Sequence, residues 1–110
     1  MTIRRTERSI PSFVKDKLYS ILFRGKNYQS VYQREMHNGA PIDVFYFKIN
    51  LQSGYQAEQN GEKLWGKFVR NPSTVHNDQT SVQWWFSNWI MENNNWVKRD
   101  EQLTAAPVIR

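Results

Sequence analysis

The 110-residue chain contains no cysteine. That excludes disulfides, thiolate nucleophiles and thiolate-ligated zinc. It has two histidines, His37 in a turn-like His-Asn-Gly stretch and His76 near Asp78 in a polar one. Neither has a further ligand at metal spacing, so no metal or cofactor is expected. The five glycines are scattered, and none builds a phosphate-cradling loop or a G-x-S-x-G elbow. Glu58 and Glu62 flank a hairpin signal and read as solvated charge rather than a catalytic pair. No run approaches the ~20 apolar residues of a membrane span. The opening MTIRRTERSIPSF lacks the apolar core of a signal peptide. These absences lead to the expectation of a non-enzymatic, cytoplasmic single domain.

Aliphatic residues are sparse as well, and aromatics replace them. Aromatics are 15% of the chain against 39% for all hydrophobic residues. Each buried ring removes roughly 150–250 Å² from water, so a polar chain of this length can still fold around a few of them. The net charge of +5 is uneven. Residues 1–34 hold eight Lys/Arg against Glu7 and Asp16, whereas the remainder holds seven against eight acids. A positive end of this kind attracts phosphate backbones, acidic proteins or anionic surfaces, although ordinary solubilising charge looks the same.

Spacing along the chain predicts an α+β fold. Residues 1–8 form a flexible basic arm in this reading, 9–103 a single domain, and 104–110 an extended tail. Ser9 or Ser12 caps a first helix with Pro11 in its first turn. Ile10, Val14, Leu18, Ile21 and Leu22 recur at helical spacing, and Gly25 stops the helix. From Tyr28 the pattern alternates, giving strands over Tyr28–Met36 and Ile42–Leu51 with Asn38-Gly39 between them. Tyr55–Gln59 and Glu62–Arg70 form a further pair about Asn60-Gly61, and Asn71-Pro72-Ser73 ends the sheet. Thr80–Trp96 holds four of the five tryptophans. Val82, Trp85, Phe86, Trp89 and Ile90 fall at i, i+3, i+4, i+7 and i+8, Thr80 and Gln83 sit at capping-box spacing, and Asn93–Asn95 end the segment. That predicts a C-terminal helix. Trp96-Val97-Lys98 is read as a short edge strand or irregular chain. The expected architecture is a four-stranded antiparallel meander with both helices on one face, a two-layer sandwich. Phe45, Phe47, Ile49, Leu51, Leu64 and Phe68 line the covered face.

Two surfaces then stand out. On the open sheet face Tyr46 and Lys48 share one side with Lys63, Trp65 and Lys67. Rings interleaved with cations suit single-stranded nucleic acid, whose bases stack while ammonium groups meet phosphates. Arg4, Arg5 and Arg8 would steer it. Cross-strand Tyr–Trp pairing and anti-aggregation lysines explain the same residues without a ligand. Leu64–Val69 holds the glycine and aromatics of the aromatic strand of RNA-recognition domains, but the order of its residues does not match. On the predicted C-terminal helix, Trp84, Asn88 and Met91 fall opposite the core stripe, which predicts either a protein interface, self-association included, or a face covered by the C-terminal segment. The leading expectation is a non-catalytic nucleic-acid-binding module, single-stranded or not sequence-specific. The alternative is a protein-interaction module, an adaptor, inhibitor or accessory subunit.

Overall fold

A computed structural model describes residues 13–76 and 79–110. The elements among them are all strands: β1 Leu18–Phe23, β2 Lys26–His37, β3 Ala40–Lys48, β4 Glu58–Gln59, β5 Glu62–Lys63, β6 Trp65–His76, β7 Gln79–Glu92, β8 Asn95–Leu103 and β9 Val108–Ile109. β4 and β5 form a small hairpin of their own. The other seven make one antiparallel sheet in the order β8-β7-β6-β3-β2-β1-β9.

That order closes on itself. β8 and β9 stand at opposite ends of it, yet only residues 104–107 separate them in the chain. Five Cα–Cα steps reach at most roughly 18 Å, whereas seven strands laid flat would put the outer two about 29 Å apart. The sheet therefore curls into a barrel, with β8 and β9 as one bent strand across the seam. Two contacts span the seam region: the Arg24 guanidinium lies 2.5 Å from the Glu101 carboxylate, and the rings of Phe23 and Phe86 are 4.9 Å apart. Both side chains of the ion pair are about half exposed, so the pair contributes little to stability and mainly aligns the two strands.

Inside, the rings form two layers. Phe45 packs against Phe13, Tyr19, Tyr32 and Trp84. Phe68 packs against Phe23, Tyr28, Phe47 and Phe86. The loop between β3 and β6 closes the barrel at the Phe68 end, burying Ile49, Ala57 and Leu64. Backbone bonds from Ile49 to Leu64, from Ala57 to Ile49 and from Leu64 to Ala57 hold it there.

The α+β expectation is overturned. Leu18–Phe23, read as helix, is β1: Tyr19, Ile21 and Phe23 alternate inward, and Ile21 is fully buried. The capping residues Ser9, Pro11 and Ser12, like the arm 1–8, lie outside the described residues. The tryptophan-rich segment is β7, a turn and β8. Its helical stripe was one of two patterns present, because Val82, Trp84 and Phe86 also alternate with Trp85 and Ser87. Valine, isoleucine and aromatic residues favour the extended form, and pairing with β6 and β8 satisfies the backbone of β7 on both sides. The residues expected to stop helices make hairpin turns instead. Both central residues have positive φ in Arg24-Gly25, Asn38-Gly39, Asn60-Gly61 and Asn93-Asn94, as two-residue type I′ turns require. β6 runs on past Pro72 to His76, with a register shift between Pro72 and Val75. Leu51 is exposed rather than part of the covered face, and residues 108–109 of the expected tail pair with β1.

Gly66 sits where a side chain has no room. It pairs with Phe47 across β3 and β6, and the Phe47 ring occupies the space a Cβ would need. The Ser87 carbonyl oxygen would lie 2.9 Å from the same atom. Gly66→Ala should lower stability by about 1–3 kcal/mol as the ring is displaced. Gly66→Ala with Phe47→Leu should recover part of that loss in urea unfolding. An alanine variant as stable as the parent would contradict this packing.

Candidate functional site

Strand alternation divides the expected nucleic-acid residues cleanly. With Phe45 and Phe47 turned inward, Tyr46 and Lys48 stand on the outer surface of β3. Antiparallel register places Tyr46 opposite Lys67 and Lys48 opposite Trp65, and residues directly opposed in this way project to the same side. The lysine ammonium of Lys67 lies 5.9 Å from the Tyr46 ring centre, within reach of the ring's negative face. Lys63 is elsewhere: it sits on β5, 2.8 Å from the Glu58 carboxylate. Arg4, Arg5 and Arg8 lie outside the described residues.

The outer surface extends further than the sequence predicts. Val69 of β6 faces Trp85 of β7, Lys67 faces Ser87, and Trp89 of β7 faces Lys98 of β8. The Trp89 indole N–H donates to the Trp65 carbonyl at 3.1 Å, which ties the two strands together at that end. Trp65 and Trp85 are 40% and 36% exposed, large values for rings on a paired strand. Trp65 and Val69 are four residues apart on β6, so Trp65 and the Trp85 neighbour of Val69 lie roughly 13 Å apart along the strand. Lys67 is midway between them. Two rings thus flank a central cation, with Lys48 and Lys98 beyond. Asp100 opposes Ser87 on the same side, and Glu35 accepts the Tyr46 hydroxyl hydrogen bond. The face keeps a positive balance, three lysines against two carboxylates. Trp85, Trp89 and Lys98 were missed because a helical reading put the first two in a core stripe. Alternation of Trp85, Ser87, Trp89 and Met91 was the signal that would have found them.

The expected protein-interface residues do not share one face. Trp84 is buried inside the barrel, 6.2 Å from and nearly parallel to Phe45. Asn88 lies on the same inward side of β7 and is half-buried. Met91 is exposed on the opposite side, across from Trp96. The helical spacing that grouped them does not exist in a strand, where residues seven apart project to opposite faces.

Among the described residues one acidic side chain is buried. Asp43 is buried on β3 and accepts hydrogen bonds from the Tyr32 hydroxyl at 2.5 Å and from Arg70 at 3.1 Å, with Arg34 at 3.5 Å. A buried carboxylate is tolerated where cations and donors surround it in this way. Among the described residues no cluster of three or more His, Asp or Glu side chains is arranged to hold a metal. No family model, curated protein or solved structure matches this chain.

Partial burial and its hydrogen bond to Glu35 hold the Tyr46 phenol protonated well above the ordinary tyrosine range. Burial raises Tyr28 and, with help from Asp43, Tyr32 in the same direction. The unfolded chain releases these protons near pH 10, before the folded one does. Their contribution to stability is therefore complete below about pH 10 and is lost as pH rises above it. Tyr46→Phe should make the urea midpoint fall less steeply between pH 10 and 11.5. An unchanged slope would mean that Tyr46 ionises freely.

Proposed function

We propose that this protein is a non-catalytic binding module that takes single-stranded nucleic acid on the outer face of β3, β6, β7 and β8. The observation that carries this reading is the alignment of Lys67 between the exposed rings of Trp65 and Trp85. Bases lie on the two indoles, and the connecting phosphates meet Lys67, with Lys48 and Lys98 following the backbone outward. Stacking on a ring contributes about 1–3 kcal/mol per base and discriminates little between bases, because every base presents a flat face. The basic N-terminal third adds attraction at a distance, which salt screens within about 10 Å at 0.1 M. Duplex DNA is not favoured, since a base-reading helix is absent among the described residues and the barrel face is convex.

Titration of a fluorescently labelled single-stranded oligonucleotide at two salt concentrations tests the reading. Binding should weaken steeply with salt and quench tryptophan fluorescence. Trp65→Ala and Trp85→Ala should each weaken it roughly 5- to 150-fold. Lys67→Ala should reduce the slope of log affinity against log salt by about 0.7. No binding at low salt, or binding indifferent to Trp65→Ala and Lys67→Ala, would overturn the assignment.

A further inference from the structure

The spacing of the two outer rings restricts the shape of any strand that lies on both. Trp65 and Trp85 are 40% and 36% exposed. An indole standing upright with both faces free would show more of its surface. These values fit rings that rest one face against the sheet and offer the other. Register sets the distance between them. Val69, opposite Trp85, follows Trp65 by four residues on β6, and four strand residues advance roughly 13 Å. Lys67 lies midway, opposite Tyr46 on one side and Ser87 on the other.

We infer that the strand bound here is extended and unstacked, with bases n and n+2 on Trp65 and Trp85 and base n+1 unread; this rests on the outer-face reading above. A stacked strand advances about 3.4 Å per nucleotide, as in a duplex, and its bases turn their flat faces to one another. Free faces then remain only at the two ends, pointing along the stack. Such a strand cannot cover two rings lying in one surface. Drawn out to about twice that rise, the strand spans the gap in two nucleotide steps. Every base is then free to turn toward the protein. The linkages between the end nucleotides pass over Lys67, whose ammonium meets them as a compact charge. The central base finds no ring to lie on. The Lys67 ammonium already stands over the Tyr46 ring, 5.9 Å from its centre, and Ser87 is buried. Runs of adenine stack along a single strand and resist being drawn out, whereas thymine and uracil runs yield more readily. The site therefore favours pyrimidine-rich strands through flexibility, without hydrogen bonds that read the bases.

The test uses the full chain, holds ligand charge constant and varies only the spacing of bases. Nine-nucleotide DNA strands carry two thymines and are abasic elsewhere, with zero, one, two or three abasic positions between the thymines. Each competes at low salt with a labelled oligothymidylate of the same length. One intervening position should bind tightest, roughly 5- to 150-fold above adjacent thymines, because both bases then stack at once. Trp65→Ala and Trp85→Ala should each flatten that dependence. An oligoadenylate of the same length should bind more weakly than the oligothymidylate. Affinity independent of spacing, affinity greatest at another spacing, or an oligoadenylate that binds as tightly would each overturn the inference and leave the outer-face reading standing. Failure of the oligothymidylate itself to bind would overturn that reading, and this inference with it.

Discussion

Every main-sheet strand except β8 and the short β9 delivers an aromatic ring to the interior of the barrel, and the rings meet at Phe45 and Phe68. Phe68 alone touches rings from β1, β2, β3 and β7. The chain has few aliphatic side chains, and large flat ones pack efficiently only when the surrounding sheet curls to enclose them from all sides. Closure is thus both the result of the aromatic core and the condition for it. It also protects the sheet edges, which otherwise invite pairing with other chains. Gly66 marks the point where this enclosure leaves no room: the Phe47 ring takes the place of a side chain.

Fixing which residues point inward fixes the outer face with no further choice. A one-residue slip in any strand would exchange the two sets completely. The two-residue turns prevent that slip between β1 and β2, β2 and β3, and β7 and β8, each with both central residues in the left-handed region. With Phe45, Phe47 and Phe68 inside, Tyr46, Lys48 and Lys67 are outside. With Trp84 and Phe86 inside, Trp85 is outside. The alignment of Trp65, Lys67 and Trp85 is therefore a consequence of core packing and hairpin register. The same geometry leaves the loop carrying Ala57 and Leu64 to close one barrel end, while among the described residues the β8–β9 bend and the segment around Phe13 stand at the other.

The middle of the chain was legible in the sequence. Asn38-Gly39 and Asn60-Gly61 announce their turns chemically, and alternation about Phe45 and Phe47 gives both the strand and its buried side. The flanking thirds were not. Positive-φ residues end helices and close hairpins equally well, so Gly25 and Asn93-Asn94 carry no information about what precedes them. In residues 82–91 both strand faces are apolar, and a segment apolar on both sides contains a helical stripe whether or not it is helical. Only pairing with β6 and β8 decides, and that is a long-range property no local pattern encodes. The same error hid Trp85 and Trp89 from the outer face and joined Trp84 to Met91. Asp43 was overlooked because a single acid in an apolar strand reads as an interruption, whereas its partners Tyr32 and Arg70 arrive from two other strands.

The most direct measurement is fluorine NMR on protein labelled with 5-fluorotryptophan, with each of the five signals assigned by single Trp→Phe replacement and a soluble paramagnetic agent added. The barrel predicts that Trp84 is protected while Trp65 and Trp85 broaden strongly, and the proposed function predicts that an oligonucleotide then shields Trp65 and Trp85 without affecting Trp84. Broadening of Trp84 to the same extent as Trp85 would contradict the inward-outward alternation on which the fold and the proposed outer face rest.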